Sequence, residues 1–431
     1  MNKRLLVIGF VWPEPKSSAA GSRMLQLLEQ FQSQGFDITF ASTAKTSANT
    51  FDLSSLNIAT QAIKLNDASF DDFVSQLQPD VVLFDRFMIE EQFGWRVAEQ
   101  CPYALRVLDT EDFHGLRKAR ELALKQNTEL TTELLQNDTT KREIASIYRC
   151  DLSLIISEAE IEILTTQFKI DKELLCYLPF LLKPVSKAAQ SQLPLFENRE
   201  HFITIGNFLH PPNYDAVLYL KQTIWPLIRK QFPKAELHIY GAYESQKVTQ
   251  LHNEKEGFLI KGFAENVNAV MKNAKVCLAP LRFGAGLKGK LVDAMQNGTP
   301  CVMSSIAAEG MFSNIKFPDT CQTEPVEVLP EDNLSSITNG FIEDQPETFA
   351  QKAVEIYNNG NLWKTKKEHG FSILENRFNK AHFTKDFAKR IASLQSNLKP
   401  HRKNNFIGNL LQHQTLQSTK YMSKWIEEKN R

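Results

Sequence analysis

Strand-length apolar runs alternate with helix-period segments along most of this chain, and they do so in two separate rounds. In the first round "RLLVIGF" precedes "SRMLQLLEQFQSQG", and "DITFAS" follows. "DVVLFD" then precedes "EEQFGWRVAEQC", and "ALRVLD" precedes a long polar helical stretch from about Gly115 to Tyr148. "LSLIIS", "EAEIEILTTQF" and "LLCYLP" close the round. Strands that are apolar throughout are buried on both faces, and a helix between each pair returns the chain for a parallel neighbour. The pattern therefore specifies an α/β fold with a doubly wound parallel sheet.

After Pro179 the period is lost in a stretch that also holds Pro184 and Pro194, which reads as a linker. The alternation restarts at "HFITIGNF" and runs through "ELHIYGA", "GFLIKGF", "KVCLAPL" and "PCVMSS", with helical segments between most of them. The expected organisation is a Rossmann-like first domain at 1–182, a linker at 183–199 and a second Rossmann-like domain at 200–375. A helix at 376–398 is expected to pack back on the first domain, followed by a tail at 399–431. The tail carries seven Lys/Arg against two Glu, with Phe406, Tyr421 and Trp425 interspersed. It is either a solvated helix crossing onto the first domain or a peripheral contact with the inner face of a membrane.

Composition excludes several function classes. Lys plus Arg equals Asp plus Glu at 50 each, so the chain has no overall charge to attract nucleic acid. No C-x-x-C pair occurs among the six cysteines, which points to reduced, mostly buried thiols and a cytoplasmic setting. The N-terminal apolar run stops at Pro13 without a small-residue cleavage site, as in a first buried strand. No stretch approaches the length of a transmembrane helix.

Ligands of doubly wound sheets bind in the crevice beyond the carboxyl ends of the strands. One loop there is conspicuous: "RFGAGLKGKLVDAMQNGTP", 282–300. Gly284 to Lys290 spells G-x-x-x-x-G-K, but Leu291 stands where a P-loop needs a magnesium-binding hydroxyl, so an ATPase fails on mechanism. What is left is a glycine loop entering a helix, flanked by Arg282, Lys288 and Lys290, which suits a diphosphate. Asp293, one turn beyond Lys290, is placed to take the hydroxyls of a ribose.

The stretches "IGNFLHPPNYDAVLYL", "APLRFGAGLKGKLVDAMQNGTPCVMSS" and "AAEGM" resemble the donor domain of group 1 (family 4) glycosyltransferases, retaining nucleotide-sugar enzymes of the GT-B fold. The first domain, with "VLDTEDFHGLRKARE", looks like a bacterial branch of that family. The resemblance implies two Rossmann-like domains facing each other across a cleft. It also implies transfer of a sugar from a nucleotide-diphosphate sugar to a hydroxyl, with retention. Gly206 and Asn207 should then line the diphosphate, and Gly262 and Phe263 the base. Arg282, Gly284, Gly286, Lys288 and Lys290 should hold the leaving diphosphate, Asp293 the ribose, and Glu309 with Gly310 should close the pocket. Two departures stand out: Ala285 occupies the position of a sugar-binding Glu, and "GNFLHPPN" lacks the Arg and Lys usual after the first glycine.

On the acceptor side, Gly21, Ser22 and Arg23 open a helix expected to face the cleft, although Ser22 could equally serve a helix cap. Asp109, Glu111 and Asp112 lie together after a strand. One alternative is an aspartate-rich metal motif of the other major glycosyltransferase fold, which two complete Rossmann-like halves argue against. His114 matches a family histidine that contacts the transferred sugar, with Asp112 and Glu111 beside it to orient the acceptor or act as base.

The expected partners are a nucleotide-sugar donor and a glycan, lipid-linked or protein acceptor. No cofactor and no metal are expected. Competing readings are a non-catalytic relative that binds nucleotide or glycan, or scaffolds a complex, and a GT-B sugar-nucleotide epimerase. Ala285 favours the non-catalytic relative.

Overall fold

A computed structural model describes residues 3–312 and 337–429. Two fully parallel sheets form the frame. The first has seven strands in the order β3-β2-β1-β4-β5-β6-β7, the second six in the order β10-β9-β8-β11-β12-β13. The first sheet comprises β1 (Lys3–Gly9), β2 (Phe36–Ser42), β3 (Ala59–Ala62), β4 (Val81–Asp85), β5 (Leu105–Asp109), β6 (Leu152–Ile155) and β7 (Leu175–Tyr177). The second comprises β8 (Glu200–Ile205), β9 (Leu237–Tyr240), β10 (Phe258–Gly262), β11 (Ala274–Ala279), β12 (Cys301–Met303) and β13 (Gly340–Ile342). In each sheet the winding reverses once, between β1 and β4 and between β8 and β11. Those two switch points are where such sheets leave a crevice at their carboxyl ends.

The central strands are apolar because they are covered twice. Leu6 and Ile8 of β1, with Val82 and Phe84 of β4, join one core, while Leu5, Val7, Val81 and Leu83 join the core on the other face. The second sheet is sandwiched in the same way: Ile203 and Cys277 lie on one side, Phe202 and Val276 on the other. The five described cysteines, Cys101, Cys150, Cys176, Cys277 and Cys301, are buried free thiols, and Cys321 lies outside the described residues.

The chain crosses between the domains twice, side by side. Leu182 pairs with Asn379 in a short parallel bridge, with the Leu182 amide donating to Phe378 at 2.7 Å and the Lys380 amide to Leu182 at 2.9 Å. Beyond the second crossing the helix Ala381–Ser396 places Phe383, Phe387, Ile391 and Leu394, spaced as one helical face, in the core of the first domain. Each such side chain contributes about 1.5–3 kcal/mol on burial, so this segment is part of the first domain energetically.

Several elements differ from the sequence reading. The stretch 115–148 is three helices, His114–Gln126, Thr132–Leu135 and Asp138–Arg149. Asn127 ends the first in the left-handed region, and the Thr131 and Asn137 side chains cap the next two. The helix after β8 runs from Pro211 to Tyr219, widens into a π turn over Leu220–Ile224 and resumes at Trp225–Gln231. Pro226 has no amide to donate and its ring crowds the preceding turn, which accounts for the widening. The helix after β11 begins at Gly289 rather than near Leu287. β3 and β13 carried no recognisable run: β3 is a four-residue exposed edge strand, and β13 is three residues long.

The tail forms two helices, Leu398–Asn404 and Phe406–Lys429, laid against the first domain. Arg402 grips Asp151 with two bonds of 2.7 Å, and Lys420 pairs with Glu99.

Candidate functional site: the cleft between the two switch points

The loops after β8 and β11 meet the loops after β1 and β5 at the crevice. Gly286 has φ 65°, a conformation that favours glycine. Even a methyl there would lie 2.8 Å from Asp112 Cβ, so this loop is pressed against the first domain. Its amide donates to Glu160 Oε1 at 2.8 Å, and the same oxygen accepts from the Phe113 amide at 2.8 Å. Glu160 is fully buried, and burial, followed by the nearby Asp112, pushes its carboxyl up to about 8. Ala285 is packed into the core cluster of the first domain. At Gly286 the loop amide is thus taken up by an acid of the facing domain.

The lysines sit behind this plug. Lys288 is buried, and its ammonium folds onto the loop carbonyls of Ala285 at 2.8 Å and Gly286 at 2.6 Å. Lys290 donates to Asn213 Oδ1 at 2.9 Å, and Asn213 in turn donates to the Asn207 carbonyl at 3.1 Å. That chain spans the switch point from β8 to β11. Gly206 lies against the same Asn213 amide, so the end of β8 is sterically tied to it. Burial pulls both lysines down to about 8, and burial raises Asp293, one turn past Lys290, to about 7 despite that cation. Two cations and an acid are held where water solvates them poorly. Perturbation of this kind by burial, at a cleft, is a mark of functional sites.

His210, which the sequence reading passed over, belongs to this cluster. It precedes the helix Pro211–Tyr219, and burial, with Arg117, Lys288 and Lys290 nearby, lowers its imidazole to about 4. The signal was "HPPN" at the start of a helix, in the loop after a strand already noted for lacking Arg and Lys.

Two arginines expected here are paired with acids of their own domains. Arg282 forms a two-bonded pair with Asp215 at 2.9 and 2.5 Å and stacks on Tyr219. It lines a pocket of about 290 Å³ beyond the ends of β11 and β12, together with Leu281, Ser304, Ile306 and, from the first domain, Leu124. Asp215 meets its charge as Asp112 meets that of Arg117 and Glu309 that of Arg120, so Lys288 and Lys290 are the cleft cations without a carboxylate partner among the described residues. Arg23 is 1% exposed and holds Asp109 at 2.9 Å and the carbonyls of Leu178 and Pro179 at 2.7 and 3.1 Å. It is a buried strut, not an acceptor contact. Gly21 packs on the backbone of Glu14, and Ser22 donates to Pro15, so both serve the loop itself. The helix cap is Ser18, which accepts from the Gly21 amide at 3.0 Å. The neighbouring Ala19 meets the second domain at Gly289, and Glu14 of the same loop accepts from Tyr243 at 2.6 Å.

Glu309 is clasped by Arg120 of the first domain, with bonds of 2.8 and 2.6 Å, and Arg120 also donates to the Gly284 carbonyl at 2.8 Å. Burial works against the charged carboxylate, but these bonds keep it below its usual range. Gly310, at φ 73°, faces Ser157 of the first domain. Gly262 ends β10 at φ 72°, and its carbonyl accepts from Gly241 at 2.9 Å; Phe263 follows it, half-buried. Both lie two strands from the switch point.

On the first-domain wall, Glu143 accepts the His114 and Gly115 amides at 3.1 and 3.0 Å and so satisfies the start of that helix. His114 Nδ1 lies 3.0 Å from Asp112 Oδ1 and 3.4 Å from Glu143. Burial opposes its charge, yet these two acids raise its imidazole above the usual value. Asp112 also pairs with Arg117 and is held well below the carboxylate range although burial opposes this. Glu111 is half-buried in left-handed backbone, φ 64°, and burial, then Asp109, lifts its carboxyl to about 8. Asp109 pairs with Arg23 and Asp112 with Arg117. Among the described residues no group of His, Cys, Asp and Glu is gathered for a metal ion.

Residues 199–359 match the family described as glycosyl transferases group 1. Sucrose-phosphate synthase from Thermosynechococcus elongatus is similar in structure, with TM-score 0.65 and 16% identity over 91% of this chain and 99% of that one. HepE from Anabaena, solved with UDP and glucose, gives 0.63 and 13% over 91% and 100%. WaaG, a glycosyltransferase involved in lipopolysaccharide biosynthesis, gives 0.58 and 11% over 90% and 99%. An uncharacterised 44.6 kDa protein of a Klebsiella pneumoniae cps region is 27% identical over 117 residues. That alignment spans 26% of this chain and 30% of the relative. The chain therefore carries a glycosyl transferases group 1 domain, set in a two-domain GT-B fold.

Proposed function

We propose that this chain is a retaining glycosyltransferase acting on a nucleotide-diphosphate sugar. The observation that supports this most is the pair of lysines at the second switch point, Lys288 buried and Lys290 half-buried, each lowered by burial to about 8. A buried ammonium gains most from an incoming anion, and the neighbouring β8 loop contributes Gly206, Asn207 and His210. The diphosphate would lie over these groups and the helix starting at Gly289, with Asp293 on the ribose and the end of β10, Gly262 and Phe263, near the base.

In the reaction the bond from the sugar's anomeric carbon to the diphosphate oxygen breaks. A bond to the acceptor oxygen forms on the same face, and the acceptor proton passes to the departing diphosphate. Lys288 and Lys290 stabilise the charge that develops on that leaving group, a role for protein cations in place of a metal. His114 and Asp112 hold the transferred sugar, and Glu111, protonated near neutral pH, hydrogen-bonds the acceptor hydroxyl. Glu309 and Gly310 close the donor end. The acceptor is a cell-surface polysaccharide, lipid-linked glycan or protein hydroxyl on the cytoplasmic side.

For the donor to enter, the Glu160–Gly286 and Arg120–Glu309 ties must part, and closure would remake them around it. One observation favours a non-catalytic nucleotide or glycan binder instead: Ala285, at the position of a sugar-binding acid, is packed in the first-domain core. Nucleotide release from a panel of UDP-, GDP- and other nucleotide sugars, with acceptor glycans present, separates the readings. Release supports transfer. Binding of nucleotide diphosphate without release from any donor supports the binder.

A further inference from the structure

The two tail helices have one face fixed and one face open. Arg402 holds Asp151, Asn405 donates to the Tyr148 carbonyl at 2.8 Å, and Ser423 is buried where Arg96 donates to it at 3.1 Å. These anchors fix Leu398–Asn404 and Phe406–Lys429 against the helices Phe87–Gln100 and Asp138–Arg149. On the side away from the domain, Phe406 is 73%, Tyr421 62% and Trp425 60% exposed, with Ile407, Leu410 and Met422 beside them in helical spacing. Exposure of that extent in six large apolar side chains on one helix is not what a solvated surface helix shows.

Charge decides what covers this face. Lys399, Lys403, Lys424 and Lys429 are exposed along it and make no ion pair among the described residues. Glu427 is turned to Arg96, and Glu428 is the acid left on this side. A two-fold contact between copies would bring the lysine rows together, like charge against like. Tryptophan, tyrosine and phenylalanine rimmed by lysine match the interface of an anionic bilayer, where aromatic rings sit at headgroup depth and ammonium groups meet lipid phosphate.

We infer that the outer face of the tail helices docks the protein, lying flat, on an anionic lipid surface. A helix of 24 residues offers a contact about 36 Å long, carried on the first domain and rigidly joined to it. The inference rests on the tail alone and stands whether or not the cleft transfers a sugar.

The test is co-sedimentation of the full chain with vesicles of phosphatidylcholine alone and with phosphatidylglycerol added. The expected result is binding only to the anionic vesicles, weakened by salt. Trp425→Ser with Tyr421→Ser, and separately Lys403→Glu with Lys424→Glu, should each reduce partition by roughly tenfold. Leu195→Ser, an exposed apolar residue of the linker, should leave it unchanged. All these side chains are exposed, and an unchanged melting temperature would show that the variants fold. No binding to anionic vesicles at low salt would overturn the inference. So would equal binding by wild type and tail variants, or a concentration-dependent dimer that Trp425→Ser with Tyr421→Ser abolishes.

Discussion

Glu160 of the first domain accepts the Gly286 amide of the second at 2.8 Å with the same oxygen that accepts the Phe113 amide. One buried acid thereby ties the donor loop to the acceptor wall; the two amide bonds favour its charged form, but burial and the nearby Asp112 outweigh them and hold it protonated. Its folded value, about 8, is raised above the ordinary 4.5, so between those values the folded protein holds a proton that the unfolded chain has released. This contribution to stability is complete below about pH 4.5 and is lost as pH rises toward 8. Glu160→Gln keeps an acceptor and removes the titration. Its melting temperature should equal that of wild type near pH 5 and exceed it near pH 8. Parallel pH profiles for the two proteins would contradict the assignment.

The Arg120–Glu309 clasp is a two-bonded pair across the cleft, partly shielded from water. Arg120→Ala and Glu309→Ala should each loosen the closed arrangement, seen as a larger radius of gyration in solution scattering. A double-mutant cycle should give a coupling of about 1–3 kcal/mol. Additive effects would show that the clasp does not hold the domains together.

Arg23 and Arg282 make opposite predictions although both were expected at the site. Arg23→Met leaves Asp109 charged and buried, and urea unfolding should show a loss of about 3–5 kcal/mol. Arg282→Ala breaks an exposed pair and should cost about 1 kcal/mol or less. Neither variant, where folded, should change nucleotide affinity. A tenfold loss of affinity in Arg282→Ala would make that residue a donor contact.

His210 is the member of the cationic cluster that supplies no charge of its own at neutral pH. Its imidazole, lowered to about 4 by burial beside Arg117 and the two lysines, should gain a proton when a diphosphate arrives. Nucleotide binding should take up protons in buffers of differing ionisation enthalpy, and His210→Asn should reduce the uptake. Equal uptake in the variant would remove His210 from the site.

The architecture was legible because its signal is local. The "RLLVIGF", "DVVLFD" and "KVCLAPL" runs each declare a buried strand, and the reversal of winding followed from their order. β3 escaped because an exposed edge strand needs no apolar residues, and the break at Asn127 because caps, not period, end a helix. The loop at 282–293 was found because glycine and lysine crowd it, but the destinations of the charges were not written there. Asp109 is 86 residues from Arg23 and Asp215 is 67 from Arg282, so only the folded chain reveals that these arginines are occupied. Nothing in "GAG" announced that its alanine would pack into the opposite domain or that Glu160 would take its amide.

The central claim is that Lys288 and Lys290 form the anion site of a nucleotide-diphosphate cleft. Isothermal titration of UDP and GDP into wild type, Lys288→Ala and Lys290→Ala tests it most directly. Each removed ammonium is expected to weaken binding of the preferred nucleotide by about 10- to 100-fold, the scale of a charge-assisted hydrogen bond. No binding of either nucleotide to the wild type, or unchanged affinity in both variants, would contradict the account.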